Sequence, residues 1–339
     1  MAEETAAAAS GAPYAGLGPE RILDAVESLG YRCDGRLLAL NSYENRVYQV
    51  GVDEAPPLVV KFYRPGRWSD DAILEEHAFT LELAELELPV VPPLLDAEGR
   101  TLHAFEGFRF TLFPKRPGRT PELEDPDTLR WMGRFMGRIH AAGRTQSFAH
   151  RPALNAVTFG DTPFRFLLDN RFLPPYLEES YRGLVEDLLQ RLRGCYHRAG
   201  WDPEGAAGIR LHGDCHPGNL LWTDGGPHFV DFDDCRTGPA AQDLWMLLGG
   251  DRETQQRQLR YVLEGYTQFC SFDPRELHLV EALRTLRMIH HSGWLARRWE
   301  DPAFPASFPW FDHPRYWEDQ VLALREQAAL LDEPPLVMD

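Results

Sequence analysis

Residues 211–231 read LHGDCHPGNLLWTDGGPHFVD and contain the polar side chains that decide the fold and the chemistry predicted for this chain. His212, Asp214 and Asn219 follow the order H-x-D-x-x-x-x-N, and an apolar run then leads to Asp231. Glycine and proline between them favour a tightly turned, irregular backbone. The stretch therefore predicts one short segment that gathers two carboxylates and an amide at a single site.

Those three groups match what phosphoryl transfer from a nucleotide to a hydroxyl requires. The γ-phosphate must be neutralised, aligned and presented to the attacking oxygen, so the protein contributes placement and charge. Asp214 is the predicted base that accepts the hydroxyl proton, and His212 is expected to organise the loop. Asn219 and Asp231 offer the oxygen ligands that magnesium prefers. The spacing is that of a kinase catalytic loop followed by its metal-binding aspartate. We therefore expect a nucleotide and Mg²⁺ at this site and count Asp231 as both catalytic and metal-binding.

A second set of candidates would contact the nucleotide. Lys61 follows an apolar strand-like run, a position from which it would reach the α- and β-phosphates. The next predicted helix carries Glu75 and Glu76, one of which should form an ion pair with Lys61. We favour Glu76, because Phe79 and Leu83 place apolar support on its face of the helix; Glu75 stays possible.

Residues 41–45 occupy the place where kinases have a glycine-rich loop over the phosphates, but no such glycine pattern is present. Ser42 and the local backbone N–H groups are the predicted substitutes, although an ordinary hairpin turn would have the same sequence. Asp243 is expected to cap a helix and brace the catalytic loop. Asp233 could contact a metal ion or a basic neighbour, and Cys215 is expected to be a buried, unreactive thiol.

Hydrophobic patterning predicts an α+β fold in two lobes, with a disordered tail over residues 1–17. The N-terminal lobe, residues 18–114, would hold a small antiparallel sheet and one long helix from Ser69 to about Leu86. Its other elements are a helix at 18–30, strands at 36–40, 46–51 and 58–63, and three short strands within 93–113. The C-terminal lobe, residues 115–339, would be larger and mainly helical. Its predicted helices are 129–142, 176–197, 242–248, 253–270, 276–299 and 316–331.

Charge and cysteine content restrict the possible partners. The chain contains 35 Lys and Arg against 52 Asp and Glu, a formal net charge of −17. Such a surface repels nucleic acid and anionic membranes and suits cationic substrates. Five scattered cysteines without a C-x-x-C pair predict reduced thiols in the cytosol, and no apolar run approaches the roughly 18 residues of a membrane span. We expect a cytoplasmic monomer that binds neither nucleic acid nor membrane.

The 211–219 segment resembles the aminoglycoside phosphotransferase and choline kinase superfamily, which is related to protein kinases. Further blocks are similar to a group of bacterial protein kinases within it: 40–49, 60–65, 230–234, 238–240, 242–247 and 297–304. The resemblance spans residues 36 to 311 and implies a two-lobed kinase-like fold, ATP, magnesium, and phosphorylation of Ser or Thr in protein substrates under stress. It also implies Asp214 as proton acceptor, Asn219 and Asp231 at magnesium, and Ser42 at the ATP site.

Two other functions compete with a protein kinase. A small-molecule kinase acting on an amino alcohol, homoserine or an amino sugar would have nearly the same active site. A pseudokinase would bind nucleotide without transferring phosphate. The sequence disfavours the pseudokinase, because Lys61, Asp214, Asn219 and Asp231 are all present.

Overall fold

A computed structural model describes residues 12–338. Ten helices and nine strands are assigned in this part of the chain. The helices are α1 (Pro19–Glu27), α2 (Asp70–Glu85), α3 (Pro126–Gly143), α4 (Thr162–Asp169), α5 (Pro175–Ala199), α6 (Ala241–Trp245), α7 (Arg252–Tyr266), α8 (Val280–Arg297), α9 (Ala303–Ser307) and α10 (Pro314–Asp332). The strands are β1 (Cys33–Ala39), β2 (Arg46–Val52), β3 (Ala55–Phe62), β4 (His103–Phe105), β5 (Phe108–Pro114), β6 (Ile209–Leu211), β7 (Leu220–Thr223), β8 (Gly226–Phe229) and β9 (Arg236–Gly238).

The chain forms two compact units. The first contains the described part of Met1–Trp68 together with Leu94–Lys115 and Arg298–Pro309. The second contains Ser69–Pro93, Arg116–Arg297 and the described part of Trp310–Asp339. This division differs from the predicted boundary at residue 114 in two places, because α2 belongs to the second unit and the late segment 298–309 belongs to the first.

Side-chain contacts explain both differences. In α2, the ring of Phe79 packs edge-on against Phe232 at 5.9 Å and Phe148 at 5.6 Å, all within the second unit. In the first unit, the Arg64 guanidinium donates to the Asp301 carboxylate at 2.8 Å, which fixes segment 298–309 to the unit that contains β3. Both kinds of contact join residues distant in sequence, so local pattern does not reveal them.

The first unit is built on a five-stranded antiparallel sheet in the order β1-β2-β3-β5-β4. Its core places Ile22 and Val26 of α1 against inward-facing residues of the sheet, among them Val50, Val60 and Phe110. β-branched and aromatic side chains suit such a half-buried pleated surface. The predicted α+β fold, with a small antiparallel sheet followed by a mainly helical part, is confirmed.

Two predictions for the first unit need correction. Residues 93–113 hold two strand segments instead of three, because the Asp96 carboxylate accepts the backbone N–H groups of Glu98 and Arg100 at 2.9 and 2.8 Å. This local bonding forms a turn that replaces the first predicted strand. Of the predicted disordered tail, residues 1–11 lie outside the described residues. Residues 12–17 form turns, and Tyr14 donates to the Glu44 carbonyl at 3.0 Å.

The second unit is mainly helical and carries two small antiparallel pairs of strands, β6 with β9 and β7 with β8. Ser69 accepts the Ala72 N–H at 3.2 Å, so the predicted start of α2 is confirmed. The predicted helix 276–299 is divided, since a 3₁₀ segment at Pro274–Leu279 precedes α8. Across residues 12–338, no helix combines the length and the apolar character needed to cross a membrane.

Candidate active site

The short β7–β8 hairpin brings the two ends of the 211–231 segment together. Its register pairs Leu220 with Phe229. Just outside that pair, the backbone N–H of Val230 donates to the carbonyl of Asn219 at 3.1 Å. Asp231 therefore directly follows Val230, the residue whose backbone is bonded to Asn219. Hairpin geometry thus converts a twelve-residue separation in sequence into adjacency in space.

The Asp214 carboxylate is held by two basic side chains. Its Oδ1 accepts from the Arg287 guanidinium at 2.6 Å, and its Oδ2 lies 3.5 Å from Nε2 of His216. The His216 Nδ1 accepts the Gly218 N–H at 2.9 Å, so the ring proton is on Nε2, facing Asp214. Burial raises the pKa of Asp214, but the His216 hydrogen bond and the Arg287 charge outweigh it and hold the pKa below its ordinary value. Asp214 is therefore ionised at neutral pH, as a proton acceptor must be.

Asn219 is oriented by the same loop. Its Nδ2 donates to the backbone carbonyl of Asp214 at 2.9 Å. Because the amide nitrogen is used in this bond, the amide oxygen is the atom left to bind a ligand.

Asp231 has a backbone conformation that is uncommon for residues other than glycine. It lies in the left-handed region, with φ 60° and ψ 66°, and its side chain is exposed. Non-glycine residues in this region are uncommon, and such strain concentrates at functional sites.

An amide oxygen and a carboxylate at neighbouring positions fit Mg²⁺. Within residues 12–338, no group of three or more His, Cys, Asp or Glu side chains forms a metal cage. Magnesium does not need one, because it keeps several waters and binds one or two protein oxygens together with phosphate oxygens. Asn219 and Asp231 would therefore hold it only together with a nucleotide.

A buried aspartate, Asp243, stabilises the backbone of the loop that carries Asp214. Asp243 accepts the backbone N–H of His212 through Oδ2 and that of Gly213 through Oδ1, both at 2.9 Å. His140 also contacts Oδ2, at 3.1 Å. The His212 ring in turn contacts the Val230 carbonyl at 3.0 Å and so connects the two halves of the site. The predicted bracing role of Asp243 and the organising role of His212 are confirmed. The predicted helix cap is wrong, because Asp243 lies inside α6 and the N-cap position is Ala240, without a side-chain cap.

Gly213 is required by this arrangement. Its φ is +85°, and a Cβ atom there would collide with the backbone carbonyl of Asp234. Cys215, next to Asp214, is fully buried, and burial raises the pKa of its thiol well above the ordinary value. The prediction of an unreactive thiol is therefore supported.

Arg151 is a central residue that the sequence did not reveal. Its buried guanidinium donates to the Glu76 carboxylate at 2.8 Å and to the backbone carbonyl of Asp233 at 2.6 Å. Glu75 accepts three consecutive backbone N–H groups of residues 149–151 at 2.6–2.9 Å. Glu75 is thus engaged with a loop, whereas the pairing of Glu76 with Lys61 stays a prediction.

The remaining nucleotide candidates lie in the first unit. Lys61 is buried in β3, opposite Val47 of β2 and Thr111 of β5, as the strand prediction required. Ser42 lies in the turn between β1 and β2, and its hydroxyl donates to the Asn45 carbonyl at 3.1 Å.

A pocket of about 290 Å³ opens beside the Ser42 turn. It is lined on one side by residues of β1, the turn and β2, and on the other by residues of α9. Its polar lining includes Ser42, Arg46 and Ser307.

Ion pairs hold this turn in place. Glu44, within the turn, pairs with Arg298 at 2.9 Å and with Arg64 at 3.6 Å, and Arg64 also pairs with Asp301 at 2.8 Å. No sequence pattern predicted the contacts of Arg298 and Asp301, since they join residues more than 200 positions apart.

Similarity to known proteins agrees with the chemistry of the site. The chain is 44% identical over 320 residues to stress response kinase A of Escherichia coli (strain K12), covering 94% of this chain and 95% of that protein. The same identity and coverage hold for the serine/threonine protein kinase RdoA of Salmonella typhimurium (strain LT2).

Solved structures show the fold alone, since their sequence identity is low. An amicoumacin kinase in complex with AMP-PNP and Ca²⁺ has a TM-score of 0.70 at 19% identity, covering 94% of this chain and 95% of its own. A microcompartment-associated aminopropanol kinase has a TM-score of 0.67 at 17% identity, covering 92% and 96%. Residues 36–280 match the phosphotransferase enzyme family, abbreviated APH. This chain therefore belongs to that family and is a phosphotransferase, similar over most of its length to stress response kinase A.

Proposed function

We propose that the chain is an ATP- and Mg²⁺-dependent kinase that phosphorylates Ser or Thr hydroxyls of proteins, in a bacterial stress response. The observation that carries the proposal is the loop geometry, in which Asn219 is bonded to the backbone of Asp214 and lies beside Asp231. The choice of a protein acceptor is supported by the relative named as a serine/threonine protein kinase.

The residues of the site divide the reaction between them. The acceptor hydroxyl would donate its proton to Oδ2 of Asp214, while Arg287 keeps Oδ1 and fixes the carboxylate. The acceptor oxygen would form a bond to the γ-phosphorus as the bond from that phosphorus to the bridging oxygen breaks, with ADP as the leaving group. When bound, ATP would supply the phosphoryl group and Mg²⁺ would neutralise its charge. Asn219 and Asp231 would hold the metal, and Lys61, Ser42 and Glu76 are proposed for the nucleotide.

The hydrogen bonds of Asp243 to the loop reduce the structural reorganisation that phosphoryl transfer requires. The backbone of His212 and Gly213 is fixed by a carboxylate that is fully buried, so the base does not have to be repositioned during transfer. Such preorganisation is the main contribution of a protein to phosphoryl transfer.

A small-molecule kinase is the second candidate, since solved structures with this fold include an amicoumacin kinase and an aminopropanol kinase. Their identities of 19% and 17% support only the shared fold, whereas the one 44% identical relative named as a serine/threonine protein kinase favours a protein acceptor. The predicted cytoplasmic location and monomeric state are kept as parts of the proposal.

Radiolabelled ATP separates the two candidates. The purified chain is incubated with labelled ATP and Mg²⁺, and with a bacterial protein extract, amino alcohols, homoserine or amino sugars. We expect label on Ser or Thr of proteins, and none with the Asp214→Asn variant. Efficient turnover of a small molecule without any protein labelling would contradict the proposed acceptor.

A further inference from the structure

The predicted base is in direct contact with a positive side chain from a distant helix. Arg287 of α8 donates to Oδ1 of Asp214 at 2.6 Å, and 40% of its side chain is exposed to solvent. The residues are 73 positions apart, so this contact follows from the fold and not from a motif. The guanidinium therefore lies where an incoming acceptor must approach the base.

The two oxygens of Asp214 have different environments. Oδ1 is engaged with Arg287 at 2.6 Å, whereas Oδ2 has only the long, weak contact of 3.5 Å with His216 Nε2, which an acceptor hydroxyl can replace. An acceptor hydroxyl can therefore bind Oδ2 while Oδ1 stays with Arg287. Substituents on the neighbouring carbons of the acceptor then come within several ångströms of the guanidinium.

We propose that Arg287 is a specificity residue that selects acceptors with a negative or neutral group beside the reacting hydroxyl and rejects those with an ammonium group there. The inference deepens the proposed function and rests on it, because it assigns the acceptor class: Ser or Thr in an acidic sequence context. It also disfavours an amino alcohol or amino sugar with a cationic group next to the hydroxyl.

Proton transfer strengthens this selection. When Asp214 takes the acceptor proton, its charge is neutralised and Arg287 loses its ionic partner. A carboxylate on the acceptor can then pair with the guanidinium, so the interaction is stronger in the transition state than in the ground state. Interactions of this kind raise the rate of transfer and not only the affinity.

The other charges around the base do not cancel this effect. Asp234, whose charge raises the pKa of Asp214, pairs with Arg236 at 2.6 Å. His291 follows Arg287 by one turn of α8 and stacks on Trp294 at 5.7 Å. That aromatic surface alone would suit a cation, but burial and the Arg287 charge both lower the pKa of His291, so the guanidinium acts on this surface as well. The net charge of −17 alone would predict a cationic substrate. The positive charge of Arg287 beside the base predicts the opposite preference.

Matched peptides test the inference. Three peptides share one Ser and differ only in its two neighbours, which are Glu, Gln or Lys. Ethanolamine, glycerol and glycerate form a parallel set of small alcohols. Transfer is measured as kcat/KM for wild type, Arg287→Gln, and Arg284→Gln as control. Arg284 lies one turn earlier on α8 and pairs with Glu281 at 3.2 Å.

We expect kcat/KM for the Glu-flanked peptide to exceed that for the Lys-flanked peptide by about tenfold or more, as for partly screened unit charges a few ångströms apart. Arg287→Gln should reduce this ratio to near one, and Arg284→Gln should leave it unchanged. Fluorescence anisotropy of the labelled peptides, without nucleotide, should show the same order of affinity and the same loss in Arg287→Gln.

Three results separate the inference from the proposed function. An equal loss of kcat/KM for all acceptors in Arg287→Gln, or a preference of wild type for Lys neighbours, would overturn the inference. If peptides are not labelled but glycerate is preferred over ethanolamine through Arg287, the charge selection is supported and the protein acceptor is wrong.

Discussion

Asp214 is held in its ionised form by its surroundings, and this makes its role directly testable. Replacing it by Asn keeps the shape of the side chain and removes the proton acceptor. We expect kcat to fall by about 10²–10⁴-fold, the usual range for a general base, while nucleotide affinity stays near wild type. Steady-state transfer and nucleotide titration measure the two quantities. Asp224→Asn, at an exposed aspartate in the β7–β8 turn, is the control; equal rates for both variants would remove Asp214 from the mechanism.

Asp231 lies in the left-handed region. Two substitutions can therefore separate the role of its carboxylate from the steric cost of its backbone conformation. Asp231→Ala and Asp231→Gly both remove the carboxylate, but only glycine adopts φ 60° without steric cost. We expect both variants to lose Mg²⁺-dependent nucleotide binding. The Gly variant should unfold with a free energy about 1 kcal/mol higher than the Ala variant.

Calorimetric titration with nucleotide and Mg²⁺, together with urea denaturation, checks both parts of this prediction. A normal Mg²⁺ titration in either variant would exclude Asp231 as a metal ligand. Equal stability of the two variants would contradict the assigned backbone conformation.

At the scale of elements, α2 is attached to the second unit by a buried ion pair. The side chains of Arg151 and Glu76 are 0% and 3% exposed, and their charged groups are 2.8 Å apart. Removing one partner leaves an uncompensated buried charge, which typically costs about 3–5 kcal/mol. We expect Glu76→Ala to lower the free energy of unfolding by this amount in urea denaturation. Glu85→Ala, at an exposed position on the same helix, should change it little, and similar values for the two would contradict the assigned pair.

A carboxyl group that binds the start of α6 makes the free energy of unfolding depend on pH. Glu276, in the 3₁₀ segment before α8, accepts the Ala241 N–H at 2.9 Å, and burial raises its pKa from 4.5 to about 7. The folded state therefore binds the proton more tightly than the unfolded state. The contribution of this group is fully present below pH 4.5 and is lost as the pH rises to about 7.

We expect this loss to approach 1.4 kcal/mol per pH unit between those values. Glu276→Gln keeps an oxygen acceptor for the Ala241 N–H and does not ionise, so it should flatten this part of the profile. Thermal denaturation between pH 4 and 8 makes the comparison. A wild-type and a variant profile of the same slope would show that Glu276 does not ionise in this range.

Over the whole molecule, sequence reasoning succeeded where one local segment carries the information. The spacing of Asp214 and Asn219 lies within one loop, and the hairpin to Asp231 is only a few residues longer, so their association could be predicted. The Ser69 cap and the strand containing Lys61 are local signals as well. The chain's membership of a phosphotransferase family follows from those same segments.

The features that were missed join distant parts of the chain. Arg287 contacts Asp214 across 73 positions, Arg151 contacts Glu76 across 75, and Arg64 contacts Asp301 across 237. In each case no sequence pattern identifies the partner of the arginine, and an arginine can pair with any of many carboxylates. Which carboxylate it meets depends on how the helices pack, and a single sequence does not contain that information in readable form.

The central claim is that Asp214, Asn219 and Asp231 form one phosphoryl-transfer site. A crystal structure of the chain with AMP-PNP and Mn²⁺ in place of Mg²⁺ tests it most directly, because anomalous scattering locates the metal. We expect the metal at about 2.1 Å from the Asn219 amide oxygen and the Asp231 carboxylate, with the γ-phosphate facing Asp214. A metal and triphosphate bound elsewhere, with neither Asn219 nor Asp231 as a ligand, would contradict the account.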